Sequence, residues 1–342
     1  MSDEPPTPEV RVGLIVNPAS GHDMRRLVSG ASIATNTEKV AVVRRLLGGL
    51  GAAGVDRVLV MPDATGLSLG IERAVDGHRP ERDGRWPEVT FVDVAVTHTV
   101  ADTRAATTAM VERAVGAVVV LGGDGTARAV AGCLGDTPLS ALSTGTNNAF
   151  GVTTEATVVG LAVGLVATGR CGPGESCRRA KQLDVRIGDR CELALVDVAL
   201  VDEQGVGARA IRDVRSVREL AVTFAAPTAI GLSAIAAAVA PCERDEPNGR
   251  HVVLGGSGRP VRVPIAPGLV RTVGVAETSL LEPGRPRRLD GRRGVLAIDG
   301  EREIVLGPDA PSVTVELSTD GPLVIDVPWV LRIAAERSLL TG

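Results

Sequence analysis

The sequence predicts an α/β N-terminal domain with a parallel, Rossmann-like sheet, followed by an all-β, β-sandwich-like C-terminal domain. Two observations lead to this fold class. Short apolar runs alternate with helical patterns as far as about residue 168, and this alternation is typical of parallel sheets with right-handed crossovers. From about Cys171 onward, short strand patterns are separated by Gly, Pro and Asp turns, as in antiparallel β domains.

The elements of the first domain follow from its apolar patterns. The apolar runs predict strands at residues 12–16, 57–61, 89–94, 117–121 and 138–142. The intervening patterns predict helices at residues 37–54, 67–75, 101–115, 126–134 and 156–168. The first of these helices carries apolar residues at helical spacing, and Asn36 or Thr37 is a suitable N-cap for it.

The second domain reads as short strands with a single internal helix. The strands are predicted at residues 182–187, 192–201, 252–254, 261–265, 295–298, 304–306 and 312–317. An alanine-rich helix is expected within 231–239, and a last helix within 330–340 is expected to pack back on the first domain. We therefore divide the chain into a disordered lead (1–10), an α/β domain (11–168), a β-rich domain (169–327) and a C-terminal helical segment (328–342).

The composition argues against several classes of protein. With 37 basic and 41 acidic residues the net charge is −4, so no nucleic-acid partner is expected. Only Lys39 and Lys181 are lysines, and neither lies in a Gly-x-x-x-x-Gly-Lys-Ser/Thr context, which excludes a P-loop enzyme. The five cysteines are odd in number and show no Cys-x-x-Cys spacing, which argues against a disulfide framework or a zinc site.

The same reading indicates a cytoplasmic protein. Residues 1–9 are acidic and proline-rich, which is the opposite of a signal peptide. The uncharged segment 220–242 contains two prolines and several polar residues and is only weakly apolar, so we expect no membrane span.

The strongest candidate for chemistry is Asp124, in the glycine-rich turn after the predicted strand 117–121. Gly122, Gly123 and Gly125 let the backbone turn sharply, and the carboxylate is presented at the carboxyl end of a strand, where open parallel sheets bind ligands. Bare backbone N–H groups that lead into a helix also form a phosphate cradle. Taken alone, the pattern is equally compatible with a plain strand-to-helix turn whose aspartate caps the helix.

Two further turns follow the same pattern. Residues 17–21, Asn-Pro-Ala-Ser-Gly, come directly after the first strand, and their short polar side chains can bond backbone or ligand oxygens. Residues 143–148, Ser-Thr-Gly-Thr-Asn-Asn, follow the strand at 138–142 and offer three hydroxyls and two carboxamides. A polar ligand suits this composition better than a simple turn does, although a solvated loop with an Asn cap stays an alternative.

Together these motifs resemble the NAD kinase and diacylglycerol kinase superfamily. Its members show a strand-ending Asn-Pro-x-x-Gly, a Gly-Gly-Asp-Gly-Thr and, in the lipid-kinase branch, a Gly-Thr-x-Asn, as in residues 17–21, 122–126 and 145–148. Residues 299–301, Asp-Gly-Glu, are similar to a motif near the C-terminal end of these enzymes. Residues 25–28, Arg-Arg-Leu-Val, resemble a segment that follows the first motif in the ATP-NAD kinase-like group, which includes the acetoin-catabolism protein X.

The resemblance implies a kinase whose active site lies in the crevice between the domains. Mg²⁺-bound ATP, or polyphosphate, would supply the phosphoryl group, and Asp124 would accept the proton of the acceptor hydroxyl. The residues expected on the nucleotide or its phosphates are Asn17, Pro18, Ser20, Gly21, Gly122, Gly123, Gly125, Thr126, Thr144, Gly145 and Thr146. The residues expected on the acceptor are Asn147, Asn148, Asp197 and Thr228, and those expected to help hold the metal are Asp299 and Glu301. Members of the superfamily assemble as dimers or tetramers, so the resemblance implies a homodimer or homotetramer.

The sequence also departs from true NAD kinases. Val196 and Asp197 stand where those enzymes carry an Asn-Glu pair, and residues 225–233 have lost the Gly-Ser-Thr and Tyr of a similar segment. Three hypotheses therefore remain open. The first is a kinase that phosphorylates the 2′-hydroxyl of NAD to give NADP; the second is a kinase of a lipid or small-metabolite alcohol. The third is a non-catalytic sensor of nucleotide or NAD.

Overall fold

The computed structural model describes residues 9–20, 35–143, 148–202, 214–290, 294–300 and 302–341. Its strands are β1 (Arg11–Val16), β2 (Arg57–Val60), β3 (Glu88–Phe91), β4 (Ala117–Gly122), β5 (Leu139–Ser143), β6 (Cys177–Arg179), β7 (Gln182–Ile187), β8 (Arg190–Ala194), β9 (Asp197–Val201), β10 (Val217–Val222), β11 (Gly249–Ala266), β12 (Leu269–Leu281), β13 (Arg287–Leu289), β14 (Gly294–Ile298), β15 (Arg302–Leu306), β16 (Val313–Ser318) and β17 (Leu323–Ile325). Its α-helices are α1 (Asn36–Ala52), α2 (Leu67–Asp76), α3 (Pro80–Asp83), α4 (Val100–Glu112), α5 (Asp124–Ala131), α6 (Ala156–Ala167), α7 (Pro173–Ser176), α8 (Ser233–Ala237) and α9 (Val327–Glu336). A 3₁₀ turn covers Val214–Ser216.

The predicted fold class is confirmed. One mixed sheet has the strand order β3-β2-β1-β4-β5-β17-β6, in which the pairs from β3 to β17 are parallel and only β17 and β6 are antiparallel. The C-terminal part folds into two antiparallel sheets, with the orders β12-β11-β10-β9-β14-β15 and β13-β16-β7-β8. An apolar core between these two sheets, with Leu183, Leu200 and Val315 fully buried, makes this part a sandwich.

The mixed sheet is buried on both faces because alternate residues of its strands enter different cores. On one face Leu14 and Val119 pack with α1, α2, α6 and α9. On the other face Ile15 and Val120 belong to a core that also contains α4, α5 and residues of the β sandwich. The α/β part and the β part therefore share a continuous apolar core.

Two short strands lie where the chain passes between the mixed sheet and the two antiparallel sheets. The chain leaves the mixed sheet after β6 and returns to it with β17. Both strands have only three residues, too few to show a pattern in the sequence. The domain boundaries at residues 168 and 327 stay a prediction. Helix α9 packs with α6 on one face of the mixed sheet.

Three local predictions were also wrong in detail. Helix α1 is capped by Thr35, not by Asn36 or Thr37, and Glu38 completes a capping box with Thr35. The predicted strand 192–201 is interrupted at Leu195 and Val196, so that β8 and β9 lie in different sheets. The predicted strands 252–254 and 261–265 form one long strand, β11, which pairs with the unpredicted β12.

In the part of the chain that the structure describes, no helix combines the length and the apolar character needed to cross a membrane. The uncharged segment 220–242 instead forms part of β10, a turn and the short helix α8.

Candidate active site

The carboxyl ends of β1, β4 and β5 meet at one edge of the mixed sheet. Val16 pairs with Leu121, and Gly122 pairs with Ser143, so the turns that follow the three strands begin side by side. This register brings the turn at 17–20, the start of α5 and the segment from Asn148 onward to a common location. Such an edge is where open α/β sheets bind ligands.

Asp124 is the first residue of α5, and its carboxylate turns toward the segment after β5. Oδ2 accepts a hydrogen bond from the backbone N–H of Ala149 (2.8 Å), and Oδ1 accepts one from Phe150 (2.9 Å). The residue is 8% exposed. The carboxylate is thus held in one orientation at the carboxyl end of β4, at the kind of sheet edge where open α/β sheets bind ligands.

The turn after β1 is joined directly to the glycine-rich turn after β4. The side-chain amide of Asn17 donates to the hydroxyl of Thr126 (2.8 Å), while its oxygen accepts from the N–H of Ala19 (2.9 Å). Gly122 allows this approach, because a Cβ there would lie 2.8 Å from the Cβ of Thr126. Asn17 and Thr126, both predicted to bind phosphate, therefore touch each other.

Lys39 of α1 binds the inner side of the turn after β1. The sequence analysis did not predict it as a site residue. Its ammonium donates to the backbone oxygens of Asn17 (3.0 Å), Pro18 (2.7 Å) and Ser20 (2.8 Å), and the residue is only 1% exposed. Three carbonyl groups of one turn therefore point inward to a buried cation. A lysine at a buried position of an otherwise apolar helix face, four residues before Val43, was the signal in the sequence.

Replacing Lys39 by methionine will leave these carbonyl oxygens without their donor. We expect the free energy of unfolding to fall by about 2–3 kcal/mol, since unpaired buried polar groups cost about 1–3 kcal/mol each and water can reach some of them. Affinity for Mg·ATP should fall as well, because the turn would lose its fixed shape. Urea unfolding and calorimetric titration measure the two effects, and a variant with unchanged ATP affinity would contradict the phosphate-binding role of the turn.

The segment after β5 is tied to the end of β4. The side-chain amide of Asn148 donates to the backbone oxygen of Gly122 (3.1 Å) and to the hydroxyl of Ser143 (3.0 Å). Both hydrogen bonds use the side-chain nitrogen of Asn148. A substrate hydroxyl could therefore donate only to the side-chain oxygen of Asn148. The predicted site residues Gly21, Thr144, Gly145, Thr146, Asn147 and Glu301 lie outside the described residues.

Asp299 lies in the β part, and its carboxylate is enclosed by protein donors. The side chain is fully buried, and its oxygens accept from the N–H groups of Leu195 (3.1 Å), Val196 (2.8 Å) and Asp197 (3.1 Å). The guanidinium of Arg128 in α5 lies 3.7 Å away. Burial raises the pKa of Asp299, whereas Arg128 and the backbone donors oppose that shift. These contacts favour a structural role, and metal binding by Asp299 stays a prediction.

The remaining predicted acceptor residues lie farther along the β part. Asp197 is buried at the start of β9, with its N–H on Asp299. Val196 is 2% exposed, within the core shared by the two parts of the chain. Thr228 is exposed in the turn between β10 and α8. The structure thus places Asp197 and Thr228 in different environments, and only Thr228 is open to solvent.

Arg244 is a second residue that the sequence prediction did not include. It comes from the loop between α8 and β11, and its guanidinium donates to the backbone oxygen of Ala149. The guanidinium carbon lies 4.2 Å from the ring centre of Phe224 and 5.7 Å from that of Phe150. Desolvation lowers the pKa of Arg244, and attraction to Asp124 opposes the change. The β part therefore contributes a cation next to Asp124.

The donor groups present at the sheet edge fit a metal that arrives on a nucleotide. Mg²⁺ is usually bound through substrate phosphates and one or two carboxylates, and the hydroxyl of Thr126, near the carboxylate of Asp124, is a suitable oxygen ligand. Among the described residues, no three His, Cys, Asp or Glu side chains are grouped as a protein-only metal site would need.

Two protein families match successive parts of the chain. Residues 12–170 match the ATP-NAD kinase N-terminal domain family, and residues 181–320 match the acetoin catabolism protein X C-terminal domain family. The chain is 42% identical over 337 residues to acetoin catabolism protein X of Cupriavidus necator. The aligned region covers 96% of this chain and 93% of that protein.

Two solved structures are similar over most of their length at low sequence identity. One is a provisionally named diacylglycerol kinase from Bacillus anthracis str. Sterne, with a TM-score of 0.45 and 13% identity over 93% of this chain and 98% of that one. The other is an NAD kinase from Archaeoglobus fulgidus in complex with ATP, with a TM-score of 0.39 and 12% identity over 97% of this chain and 100% of that one.

Proposed function

Because this chain belongs to the NAD kinase-like family of acetoin catabolism protein X, we propose that it transfers a phosphoryl group from a nucleotide to an alcohol. NAD, through its 2′-hydroxyl, is the first acceptor to consider. One observation carries the proposal: the carboxylate of Asp124 is fixed at the sheet edge, beside the turn in which Asn17 contacts Thr126. A base and a phosphate-binding turn are the two parts that such a transfer requires.

The proposed mechanism relies on position and charge more than on covalent chemistry. The donor phosphates would lie on the backbone amides of the turns after β1 and β4. Asp124 would accept the proton of the acceptor hydroxyl while that oxygen bonds to the γ-phosphorus, and the bond from the γ-phosphorus to the bridging oxygen would break to release the diphosphate. Mg²⁺ carried by the nucleotide phosphates would neutralise charge on the transferred group. Fixed amide donors stabilise that charge without reorganising during the reaction.

A second candidate is a kinase of another alcohol, and the environment of Val196 favours it. NAD kinases, which this chain resembles, carry an asparagine at the position of Val196. In this chain the side chain of Val196 is buried in an apolar core. A valine can neither donate nor accept a hydrogen bond, so a contact to the NAD ribose would be lost, at a cost of about 1 kcal/mol. A small-metabolite alcohol that does not need this contact would be phosphorylated by the same machinery.

The test is the formation of NADP⁺ from NAD⁺ and Mg·ATP by the purified protein, with polyphosphate as a second donor. Light scattering on the same preparation determines whether it is the expected homodimer or homotetramer. NADP⁺ formation supports the first candidate. Release of ADP only with other alcohols supports the second. If the protein binds Mg·ATP but releases no ADP with any acceptor, the proposal of phosphoryl transfer is wrong.

A further inference from the structure

Arg244 places a positive charge beside the segment that holds the carboxylate of Asp124. We propose that Arg244 binds an anionic group of the acceptor, so that the acceptor is an alcohol bearing a phosphate or a carboxylate and not a neutral lipid alcohol. This inference rests on the proposed function, because it assumes that an acceptor binds beside Asp124. It narrows the acceptor to a chemical class that includes NAD, whose pyrophosphate is anionic.

The first argument concerns the charge of Arg244. Among the described residues, no carboxylate lies within 4.0 Å of its guanidinium, whose hydrogen bond goes to the neutral backbone oxygen of Ala149. Arg244 is exposed, so a ligand beside the segment after β5 can reach its guanidinium. A guanidinium in this position has donors left for a carboxylate or phosphate, which it binds in a bidentate geometry.

The second argument concerns the side of the site on which the charge lies. Arg244 bonds Ala149, whose N–H is held by Asp124, and packs over Phe224 of the β part. Of the two turns predicted to bind the donor phosphates, the one after β1 contacts Thr126 instead. Arg244 is therefore connected to Asp124 through the segment after β5, whereas the turn after β1 is connected to Thr126. A neutral acceptor placed over Arg244 would desolvate the cation without pairing it, which is unfavourable.

The third argument concerns how the guanidinium is held in place. Lys181 is 6% exposed and donates to the backbone oxygens of Glu243 (3.1 Å), Glu246 (2.6 Å) and Asn248 (2.9 Å), which belong to the loop that carries Arg244. Burial lowers the pKa of Lys181. The two lysines of the chain thus act alike, each binding three carbonyl oxygens behind one loop. A loop fixed in this way presents Arg244 at little ordering cost to a ligand.

The test measures binding, so that it does not depend on turnover. Calorimetry is performed with inorganic phosphate, glycerol 3-phosphate and glycerate as anionic probes, with glycerol as the neutral probe and with Mg·ATP. The variant is Arg244→Gln. The matched control is Arg332→Gln, since Arg332 also lies over an aromatic ring, 5.3 Å from the centre of Trp329, but on α9. We expect Arg244→Gln to weaken the anionic probes at least tenfold and Mg·ATP less than twofold, while the control changes neither.

Two results would overturn the inference. One is that the wild type binds none of the three anions; the other is that Arg244→Gln weakens Mg·ATP instead of the anions, which would assign Arg244 to the donor. If the anions bind through Arg244 but no phosphoryl transfer is found with any acceptor, the proposed function fails while the anion site stands.

The lysine variants provide a second readout of the same inference. Lys181→Met should weaken the anionic probes, because the loop of Arg244 is released, while Lys39→Met should weaken Mg·ATP. Equal loss of both ligands in both variants would mean that the lysines act only on global stability, and the positioning argument would be wrong.

Discussion

Replacing Asp124 by asparagine will lower phosphoryl transfer by about 10²–10⁴-fold, which is the usual contribution of a positioned general base. The amide of asparagine cannot accept the proton of the acceptor hydroxyl, although it has the same shape as the carboxylate. Affinity for Mg·ATP should change little, because the donor is expected to lie on the turns after β1 and β4. The rate of ADP release with the acceptor found for the wild type, and calorimetry with Mg·ATP, measure the two quantities.

The same substitution also has a structural effect that must be separated from the chemical one. Asparagine has one acceptor oxygen, so either Ala149 or Phe150 loses the partner of its N–H, at a cost of about 1–3 kcal/mol of stability. Asp102 provides a matched control. It is also 8% exposed and accepts from the N–H groups of Thr97 and His98, but it lies in the first turn of α4, the helix that follows the edge strand β3. Asp102→Asn should lose stability and keep its turnover; equal loss of turnover in both variants would contradict a catalytic Asp124.

Replacing Asp299 by alanine will lower the free energy of unfolding by about 3–5 kcal/mol, the range found when one partner of a buried charge pair is removed. Three backbone N–H groups, those of Leu195, Val196 and Asp197, would lose their acceptor, and Arg128 would lose its counter-charge. Asp299 also has a φ of 50°, in the left-handed region that alanine adopts at a cost. Urea unfolding at neutral pH measures the loss.

The variant Asp299→Asn separates these causes. Asparagine tolerates the left-handed conformation and keeps one acceptor oxygen, so we expect a smaller loss than with alanine. Titration with Mg²⁺ in the presence of ATP tests the metal prediction at the same time. If Asp299→Ala unfolds like the wild type but needs more Mg²⁺, then Asp299 is a metal ligand and the structural role is wrong.

The parts of the fold that could be predicted from the sequence are those fixed by local patterns. The alternation of residues 182–187 predicts β7 with its observed bounds, because one face of that strand enters the sandwich core. The break between β8 and β9 could not be predicted in this way. It depends on the carboxylate of Asp299, about a hundred residues later, which binds the N–H groups at the break.

The site shows the same difference between local and distant causes. Asn17, Asp124 and Thr126 stand out in the sequence because a glycine or proline turn follows an apolar strand, and the strand register brings them together. Arg244 has no such pattern around it, since its position depends on the contact between the β part and the segment after β5. Lys39 could have been recognised only as a charge among the buried positions of a helix.

The burial of both lysines has a practical consequence for work with this protein. All of its side-chain amines are at Lys39 and Lys181, and both are buried with their ammonium groups bonded to carbonyl oxygens. Amine-directed crosslinkers, fluorophores and acetylating reagents therefore find no accessible lysine on the folded surface. A reagent of this kind instead reports opening, since labelling of Lys39 requires the turn after β1 to separate from α1, and labelling of Lys181 requires the loop of Arg244 to detach.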